Sequence, residues 1–252
     1  MASPFLRSQM LLGAEALERL ASCRVAVFGL GGVGGYTVEA LARAGIGALE
    51  LIDHDIFSVT NLNRQLHATR ETIGLYKADV AAERVRAINP DCNAVARKVF
   101  FMPETREQFN FSGFDYVVDA VDTVRAKLAL AEIAQEAGTP LISAMGAGNK
   151  LDPTAFRVAD IYETSVCPLA RVIRRECRKR GIQHLKVIYS VEPPLIPTEK
   201  AFREEEQEES PGSLQGNHSR RDTPGSVSFV PAVAGLILAG EVVKDLIGYS
   251  RK

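Results

Sequence analysis

An α/β fold with a doubly wound, mostly parallel sheet and helices on both of its faces is predicted for this chain. Short apolar segments of strand character alternate with segments of helical periodicity from about residue 22 to residue 150. Such alternation implies crossover connections between parallel strands. Acidic residues and glycines stand where several apolar segments end, and these ends meet at one edge of a parallel sheet, where ligands bind. The sequence therefore predicts a Rossmann-like architecture with a ligand site at that edge.

The first unit is predicted to be a strand, a glycine turn and a helix. The strand is expected over Arg24–Phe28 and the helix as far as about residue 44. Four glycines follow the strand: Gly29, Gly31, Gly32 and Gly34. Glycines let backbone N–H groups approach a phosphate, and the start of a helix favours its negative charge. Asp53 follows a second expected strand, Ala48–Ile52, and stands 19 positions after Gly34, which matches a nucleotide-binding fingerprint.

The other elements follow from the same patterns. One or two short helices are expected over residues 5–21. Further helices are expected over 77–89, 125–137, 168–180 and 232–247. Further strands are expected over 93–99, 115–122, 141–145, 155–161 and 184–191.

The chain is interpreted as one domain, residues 1–252. A nucleotide-binding core is expected at about 22–150, and a substrate or dimer portion at about 151–195 and 227–252. Residues 196–226 are rich in Glu, Ser, Gly, Pro and Gln, which predicts a mobile loop between the two parts of that portion.

Composition limits the classes of protein that fit. Of the 252 residues, 46% are hydrophobic, which is enough for a substantial core. The net charge of −1 excludes a chain-wide polycation, so nucleic-acid contacts would come from a local basic patch. The four cysteines form no CxxC pair, which argues against a zinc site or a disulfide framework. The longest apolar run, 227–240, is shorter than the roughly 20 residues of a membrane span, so we expect a cytoplasmic protein without a transmembrane span.

Polar and cationic residues downstream of Asp53 favour a nucleoside triphosphate over a dinucleotide. Asn61, Arg64 and Gln65 follow the second strand, and Lys77 stands at a predicted helix start. Breaking the bond between the α and β phosphates requires cations that stabilise the departing pyrophosphate. Arg64 offers a fork and Lys77 a mobile point charge. A nicotinamide-dependent dehydrogenase does not need this set, so ATP is the expected cofactor.

Asp122 is the candidate ligand of a metal ion that accompanies ATP. It stands at the end of the strand expected over 115–122, and a carboxylate there suits Mg²⁺, held through water. The alternative is that Arg64 and Lys77 are surface charges and Asp122 caps a helix. The ordered occurrence of the whole set favours a site for ATP and Mg²⁺.

Five motifs, kept in order and spacing, resemble the adenylation domain of ubiquitin-activating-type enzymes. They are Gly29-Leu-Gly-Gly-Val-Gly34, Asp53-His-Asp55, Asn61-Leu-Asn-Arg-Gln65, Lys77 and Asp119-Ala-Val-Asp122. Bacterial relatives of those enzymes adenylate sulfur-carrier proteins. The resemblance covers residues 5 to about 150.

This resemblance implies a role for each motif. Asp53 binds the ATP ribose, with Asp55 as a weaker polar neighbour, and Asp122 serves Mg²⁺. The phosphates are bound by Asn61, Arg64, Gln65 and Lys77. Arg7 resembles the arginine that reaches the ATP of the neighbouring subunit, which implies a homodimer in which Arg7 acts in trans. The implied catalytic set is therefore Arg7, Arg64, Lys77 and Asp122.

The C-terminal half resembles a narrower family. Sulfur-carrier activators usually carry two CxxC zinc pairs there, and this chain has none. Instead, the segments 164–182, 189–194 and 225–235 are similar to those of the tRNA threonylcarbamoyladenosine dehydratases. Members of that family use ATP to close threonylcarbamoyladenosine in tRNA into its cyclic form. The implied partner is tRNA that carries threonylcarbamoyladenosine.

A basic face on the helix expected over 168–180 fits an RNA partner. Its cations are Arg171, Arg174, Arg175, Arg178 and Lys179. A nucleic-acid backbone needs such a face, whereas a protein carrier does not. The alternative is a solvated basic face beside the acidic run at 204–209.

Two other functions stay open at this point. An adenylyltransferase would activate the C-terminal glycine of a ubiquitin-like sulfur-carrier protein and would not respond to tRNA. A nucleotide-binding scaffold would bind ATP without turnover and regulate a cysteine desulfurase or a sulfur-acceptor partner. Cys167 precedes a cation-rich helix, which would favour its thiolate and a catalytic role. The alternative is a small residue in a turn, which is favoured because cyclisation within one modification needs no thioester.

Overall fold

In residues 3–198 and 224–249, which the computed structural model describes, strands alternate with helices as the sequence predicts. The strands are β1 (Arg24–Phe28), β2 (Ala48–Ile52), β3 (Asn93–Arg97), β4 (Tyr116–Asp119), β5 (Leu141–Ala144), β6 (Phe156–Asp160) and β7 (Lys186–Ser190). The α-helices are α1 (Leu6–Leu12), α2 (Ala14–Ser22), α3 (Gly34–Ala44), α4 (Lys77–Ile88), α5 (Val124–Ala137), α6 (Pro168–Arg180) and α7 (Phe229–Leu246). Of the loop predicted over 196–226, residues 199–223 lie outside the described residues.

The described strands form one sheet in the order β3-β2-β1-β4-β5-β7-β6. Neighbouring strands are parallel, except that β6 runs antiparallel to β7. The strand order reverses between β1 and β4, because β2 and β3 lie on one side of β1 and the later strands on the other. In such sheets ligands bind beyond the carboxyl ends at this reversal. The predicted fold class is confirmed, and the C-terminal portion extends the same sheet through β6 and β7.

β4 is shorter than the strand predicted over 115–122. It ends at Asp119, whose carboxylate accepts the backbone N–H of Val121 at 3.1 Å. A carboxylate that bonds the backbone two residues on stabilises a turn at the expense of a longer strand. Asp122 therefore lies in the connection to α5, and its predicted place at a strand end is wrong.

Helices cover both faces of the sheet. Adjacent residues of a strand point to opposite faces, and in β1 Val27 packs with Leu238 in the core under α3, α4 and α7. On the other face Phe28 packs with Leu130 of α5. Ile173 of α6 lies in a third cluster, which extends that second layer.

α3 and α7 approach each other closely at Gly235. A Cβ atom on Gly235 would lie 2.3 Å from the Val33 carbonyl oxygen and 2.9 Å from Cβ of Tyr36. The Thr37 hydroxyl lies 3.1 Å from the Gly235 carbonyl oxygen, to which it donates. α7 is strongly apolar, yet neither it nor any other helix of the described residues is long and apolar enough to cross a membrane. α7 instead supports α3, whose first residues border the glycine turn.

We expect Gly235→Ala to lower the free energy of unfolding by about 2 kcal/mol, because the added methyl group must push the two helix backbones apart. Gly240→Ala is the matched control in the same helix, since nothing lies within 4 Å of a Cβ atom there. It should raise stability by up to about 1 kcal/mol through helix propensity alone. Urea unfolding of both variants measures the two changes in the free energy of unfolding. If Gly235→Ala and Gly240→Ala changed it by the same amount, the close packing at Gly235 would be contradicted.

His67 is a buried histidine beside α3. Nδ1 of its ring lies 3.7 Å from where a Cβ atom of Gly35 would sit. Neither ring nitrogen has a hydrogen-bond partner in the described part of the chain. Burial lowers the pKa of His67 from 6.5 to about 4. The imidazole is therefore neutral in the folded protein at pH 7.

Below pH 6.5 we expect the free energy of unfolding to fall. The unfolded chain takes up a proton on His67 near pH 6.5, whereas the folded protein does so only at about pH 4. The loss of unfolding free energy that comes from His67 reaches about 3 kcal/mol at a pH where the folded and the unfolded state both have this histidine protonated. His67→Phe should flatten this part of the profile in urea unfolding, and His184→Phe, at an exposed imidazole, should not. Superimposable profiles for His67→Phe and the parent protein would contradict the assignment.

Candidate active site

The carboxyl ends of β1 and β4 meet at the glycine turn. Gly29 has a φ of +86°, and a Cβ atom there would lie 2.6 Å from the Ala120 carbonyl oxygen. Gly34 has still less room, because its Cβ atom would lie 1.8 Å from the Gly29 carbonyl oxygen. Side chains are excluded at both positions. The turn therefore presents bare backbone at the start of α3, which is a favourable place for an anion.

Asp53, at the end of β2, is bonded directly to this turn. One carboxylate oxygen accepts the Leu30 N–H at 2.7 Å, and the other accepts the Asp55 N–H at 2.9 Å. Burial is the main cause that raises the pKa of Asp53 above its usual value. His54 packs against Phe100 with ring centroids 4.3 Å apart, so an exposed aromatic pair lies beside the carboxylate.

Lys77 opens α4 and points back to the end of β2. Its Nζ lies 2.8 Å from Oδ2 of Asp55, and its side chain is 7% exposed, against 50% for the aspartate. The Lys77 N–H also donates to the Asp55 carbonyl oxygen at 2.9 Å. Asp55 is therefore the direct partner of the lysine, which is a closer role than the weak neighbour that the sequence predicted.

The segment after β2 places its polar side chains around the glycine turn. Asn61 is buried, and its side-chain oxygen accepts the Ser58 N–H at 3.2 Å, which shapes the loop. The stem of Arg64 passes 3.6 Å from where a Cβ atom of Gly32 would sit. Its guanidinium donates to the Thr60 carbonyl oxygen at 2.8 Å. The loop is thus preformed, with an arginine against the turn.

Gln65 is the other residue of this loop that reaches the turn. Its Nε2 lies 3.9 Å from where a Cβ atom of Gly31 would sit. The Oε1 atom is buried and has no hydrogen-bond partner among the described residues. A buried acceptor without a partner is unfavourable, so this oxygen is suited to a donor on a ligand.

Asp122, the residue that the sequence predicts to bind a metal ion, has an accessible carboxylate. It is exposed between β4 and α5, and one of its oxygens accepts only the Thr123 hydroxyl among the described residues, at 3.3 Å. A hard, accessible oxygen donor beside a phosphate site fits Mg²⁺. Asp53, His54 and Asp55 also bring ligand atoms within 4.8 Å of one another, but both aspartates already bind backbone N–H groups or a lysine.

Arg7 lies away from the site of its own chain. It is exposed on α1, and Phe5, which precedes that helix, lies against Gly45 at the far end of α3. The 11 residues of α3 separate Gly45 from the glycine turn by about 16 Å. Within residues 3–198 and 224–249, no hydrogen bond or salt bridge of the Arg7 guanidinium is found. The fold thus does not bring Arg7 together with the other predicted site residues of the same chain.

Two cations of the α6 face are used inside the chain. Arg174 donates to the carbonyl oxygen and the hydroxyl of Thr164, both at 2.7 Å. Arg178 lies over the Tyr162 ring, 5.5 Å from its centroid. These side chains fasten the segment before α6 to the helix.

The other three cations of this face are exposed: Arg171, Arg175 and Lys179. Arg175 and Lys179 share Glu176 as a partner, each at 3.1 Å. Exposed ion pairs contribute little to stability, so these side chains can turn to another anion. A tRNA-binding role for the five cations stays a prediction.

Two features of the site have no signal in the sequence. Pro231, in the first turn of α7, lies 3.3 Å from where a Cβ atom of Gly32 would sit. Asn149, with a φ of +56°, donates its N–H to the Gly225 carbonyl oxygen and accepts the Leu195 N–H. Both contacts join segments that are distant along the chain, so no local pattern indicates them.

The assembled site can bind a phosphorylated nucleotide. An anion-binding turn, two acidic acceptors, a lysine, an arginine and an exposed carboxylate lie along one edge of the sheet. These groups can hold a polyphosphate and stabilise negative charge that develops on it.

Comparisons with known proteins identify the family to which the chain belongs. The model of the ThiF family matches residues 5–252. The chain is 44% identical over 244 residues to the tRNA threonylcarbamoyladenosine dehydratase of Bacillus subtilis (strain 168), which is 96% of this chain and 94% of that protein. It is 45% identical over 254 residues to the tRNA threonylcarbamoyladenosine dehydratase of Escherichia coli (strain K12), covering 94% and 91% of the two chains.

Solved structures support the same relationship. The crystal structure of E. coli tRNA N6-threonylcarbamoyladenosine dehydratase in complex with ATP matches with a TM-score of 0.83 and 34% identity, over 97% of this chain and 94% of that one. E. coli MccB, at 17% identity and a TM-score of 0.67 over all of this chain and 66% of that one, shares the fold alone. The family resemblance predicted from the motifs is confirmed. This chain belongs to the ThiF family.

Proposed function

We propose that this chain is an ATP-dependent tRNA threonylcarbamoyladenosine dehydratase. The observation that carries the proposal is the convergence of the glycine turn, Asp53, Lys77 and Asp122 at one sheet edge. This edge belongs to a chain that matches dehydratases over nearly its whole length. The substrate is threonylcarbamoyladenosine in tRNA, and the product is its cyclic form.

ATP lies along the carboxyl edge in this proposal. Asp53 accepts hydrogen bonds from the ribose hydroxyls, because its carboxylate is the acceptor beside the turn. The phosphates meet the backbone of the turn and the side chains of Asn61, Arg64, Gln65 and Lys77. Lys77 exchanges its bond to Asp55 for one to a phosphate oxygen. Asp55 is half-exposed, so water can solvate its carboxylate once the lysine has moved to the phosphate.

Asp122 would hold Mg²⁺ against the phosphates. Bound there, the ion would neutralise part of the negative charge of the triphosphate. The Asp122 carboxylate is exposed and can still coordinate an ion, because the Thr123 hydroxyl occupies only part of one oxygen, and this supports the assignment.

The reaction proceeds in two steps. A carboxylate oxygen of the threonine attacks the α phosphorus of ATP, and the bond to the bridging oxygen breaks, so pyrophosphate leaves with Lys77 and Arg64 near its charge. The mixed anhydride that results is a good electrophile. A nucleophile in the same modification then attacks its carbonyl carbon, the bond to the phosphate oxygen breaks and AMP leaves. One carboxylate oxygen departs with AMP and the nucleophile loses its proton to solvent, so the nucleoside, counted as the free acid, loses the elements of water.

We place Arg7 in the site of a second copy of the chain. Its distance from its own glycine turn supports an action in trans, and exposed apolar side chains support a homodimer. On α1 these are Leu6, Met10 and Leu11, and on α7 they are Phe229 and Leu236. Burial of such side chains is a common driving force for association.

The domain assignment and the setting are also part of the proposal. Residues 22–150 bind the nucleotide, and 151–195 with 227–252 form the substrate and dimer portion of one adenylation domain. The four cysteines are free and buried, which supports a cytoplasmic location. A cysteine desulfurase or sulfur-acceptor partner stays a prediction.

The direct test is the mass of the modified nucleoside. The protein is incubated with ATP, Mg²⁺ and tRNA that carries threonylcarbamoyladenosine, the tRNA is digested, and we expect the nucleoside to lose one water. Lys77→Met should slow this loss by about 10²-fold, because a stabilising charge is removed. Lys186→Met is the matched control, since Lys186 lies at the start of β7 and pairs with Glu241 and Asp245.

An unchanged nucleoside mass in the presence of bound ATP would contradict the proposed function. ATP–pyrophosphate exchange that depends on a glycine-tailed carrier protein, and not on tRNA, would instead support the adenylyltransferase.

Salt dependence tests the basic face. Replacing Arg171, Arg175 and Lys179 together by Gln should weaken tRNA binding and reduce the slope of log affinity against log salt by about 3, one for each lost phosphate contact. A control with the same change of net charge replaces three exposed arginines on α2, α3 and α4: Arg19, Arg43 and Arg86. If the two triple variants have equal slopes, α6 does not contact the tRNA backbone.

A further inference from the structure

A fully buried ion pair lies directly behind the exposed Asp122. Lys127 is 2% exposed and Asp119 0%, and Nζ of the lysine lies 3.1 and 3.2 Å from the two carboxylate oxygens. Ser143 of β5 donates its hydroxyl to Asp119 at 2.5 Å, and Nζ donates to the Ala144 carbonyl oxygen at 2.7 Å. The ammonium group has three hydrogens, and these acceptors use them all. No capacity remains on the lysine for a substrate.

The aspartate of this pair shapes the turn that leads to Asp122. One of its oxygens accepts the Val121 N–H at 3.1 Å. The residue between them, Ala120, has the carbonyl oxygen that leaves no space for a Cβ atom at Gly29. The turn is thus bonded to the buried pair on one side and packed against the glycine turn on the other.

The lysine anchors the opposite flank of Asp122. It lies in the first turns of α5, and its N–H donates to the Thr123 carbonyl oxygen at 3.0 Å. The side chain of Lys127 therefore links α5 to β4 through Asp119 and to β5 through Ala144. Asp122 stands between two segments that one buried network holds.

A network of this kind is poorly explained by stability alone. Desolvation of two charges offsets much of their attraction, and apolar residues of similar volume are often as stable. Directional bonds do, however, select one geometry for the groups that they join. An error of about 1 Å in the position of a catalytic group can slow a reaction about 10²-fold.

We propose that Asp119, Lys127 and Ser143 form a positioning network that sets the orientation of Asp122 toward the metal-bound nucleotide. The inference rests on the proposed function, because Asp122 is assigned its role there. None of the three residues is proposed to contact the nucleotide. They act through the turn 119–121 and the start of α5.

The test replaces the ion pair by apolar residues of similar size, in the double variant Asp119→Leu/Lys127→Met. We expect a folded protein whose cyclisation kcat is at least 10-fold lower, with KM for tRNA within about 2-fold of the parent value. Calorimetry should show that Mg²⁺ strengthens ATP binding less than in the parent protein. Ser143→Ala removes one hydrogen bond and no charge. We expect it to lower kcat and to weaken the effect of Mg²⁺ on ATP binding in the same direction but by less. It replaces the double variant in the test if that variant does not fold.

Glu50→Gln is the matched control. Glu50 is equally buried, at 2% exposure, and its carboxylate pairs with Arg24 and Arg97 in the sheet. We expect it to change the unfolding midpoint without changing the effect of Mg²⁺ on ATP affinity. If Glu50→Gln and Ser143→Ala alter that effect equally, general stability explains both and the positioning role is overturned.

A second cycle uses Asp122→Ala as the background. If the network acts through Asp122, adding Asp119→Leu/Lys127→Met should lower kcat by less than 3-fold, because the group that it positions is already gone. Independent, multiplicative losses would overturn the proposal. A parent protein that binds ATP and Mg²⁺ but leaves the tRNA nucleoside unchanged would refute the proposed function, and the calorimetric comparison would still decide whether the network positions Asp122.

Discussion

The close contact of two turns, one after β1 and one after β4, is the constraint on which the site depends. Gly29 can follow β1 only because it lacks a side chain, since the Ala120 carbonyl oxygen occupies the space where a Cβ atom would project. This contact joins the two strands where the sheet order reverses. Asp53 adds the end of β2 to the same point through its bond to the Leu30 N–H. Three strand ends are thereby held within reach of one ligand.

Two lysine–aspartate pairs serve this edge in different ways. Lys77 is paired with a half-exposed aspartate, so a phosphate oxygen can compete for its charge. Lys127 is paired with a fully buried aspartate and donates its remaining hydrogen to the Ala144 carbonyl oxygen, so no ligand can compete. The same residue types therefore provide a mobile charge at the surface of the site and a fixed support behind it. Burial and the number of available acceptors decide between the two roles.

The C-terminal half contributes to the site from both faces of the sheet. α7 brings Pro231 against the glycine turn, and α6 brings Leu169 to within 3.8 Å of where a Cβ atom of Gly146 would sit, just past β5. Both helices therefore border the edge where ATP is proposed to lie. A shared fold does not by itself define a reaction. The C-terminal elements beside the glycine turn are where a substrate can be selected.

The sequence by itself determined the unit from β1 to α3, the order of the proposed nucleotide-binding residues and the family, because strand pattern, turn chemistry and helix starts are encoded by neighbouring residues. β1 and β2 have the predicted bounds, and Lys77 opens α4 as expected. Only the tertiary structure decided that β6 is antiparallel, that Asp55 binds Lys77, that Arg174 is used by Thr164 and that Lys127 supports the turn before Asp122. These pairs form when separate elements pack together, and the desolvation that gives each its role depends on what covers it rather than on its neighbours along the chain.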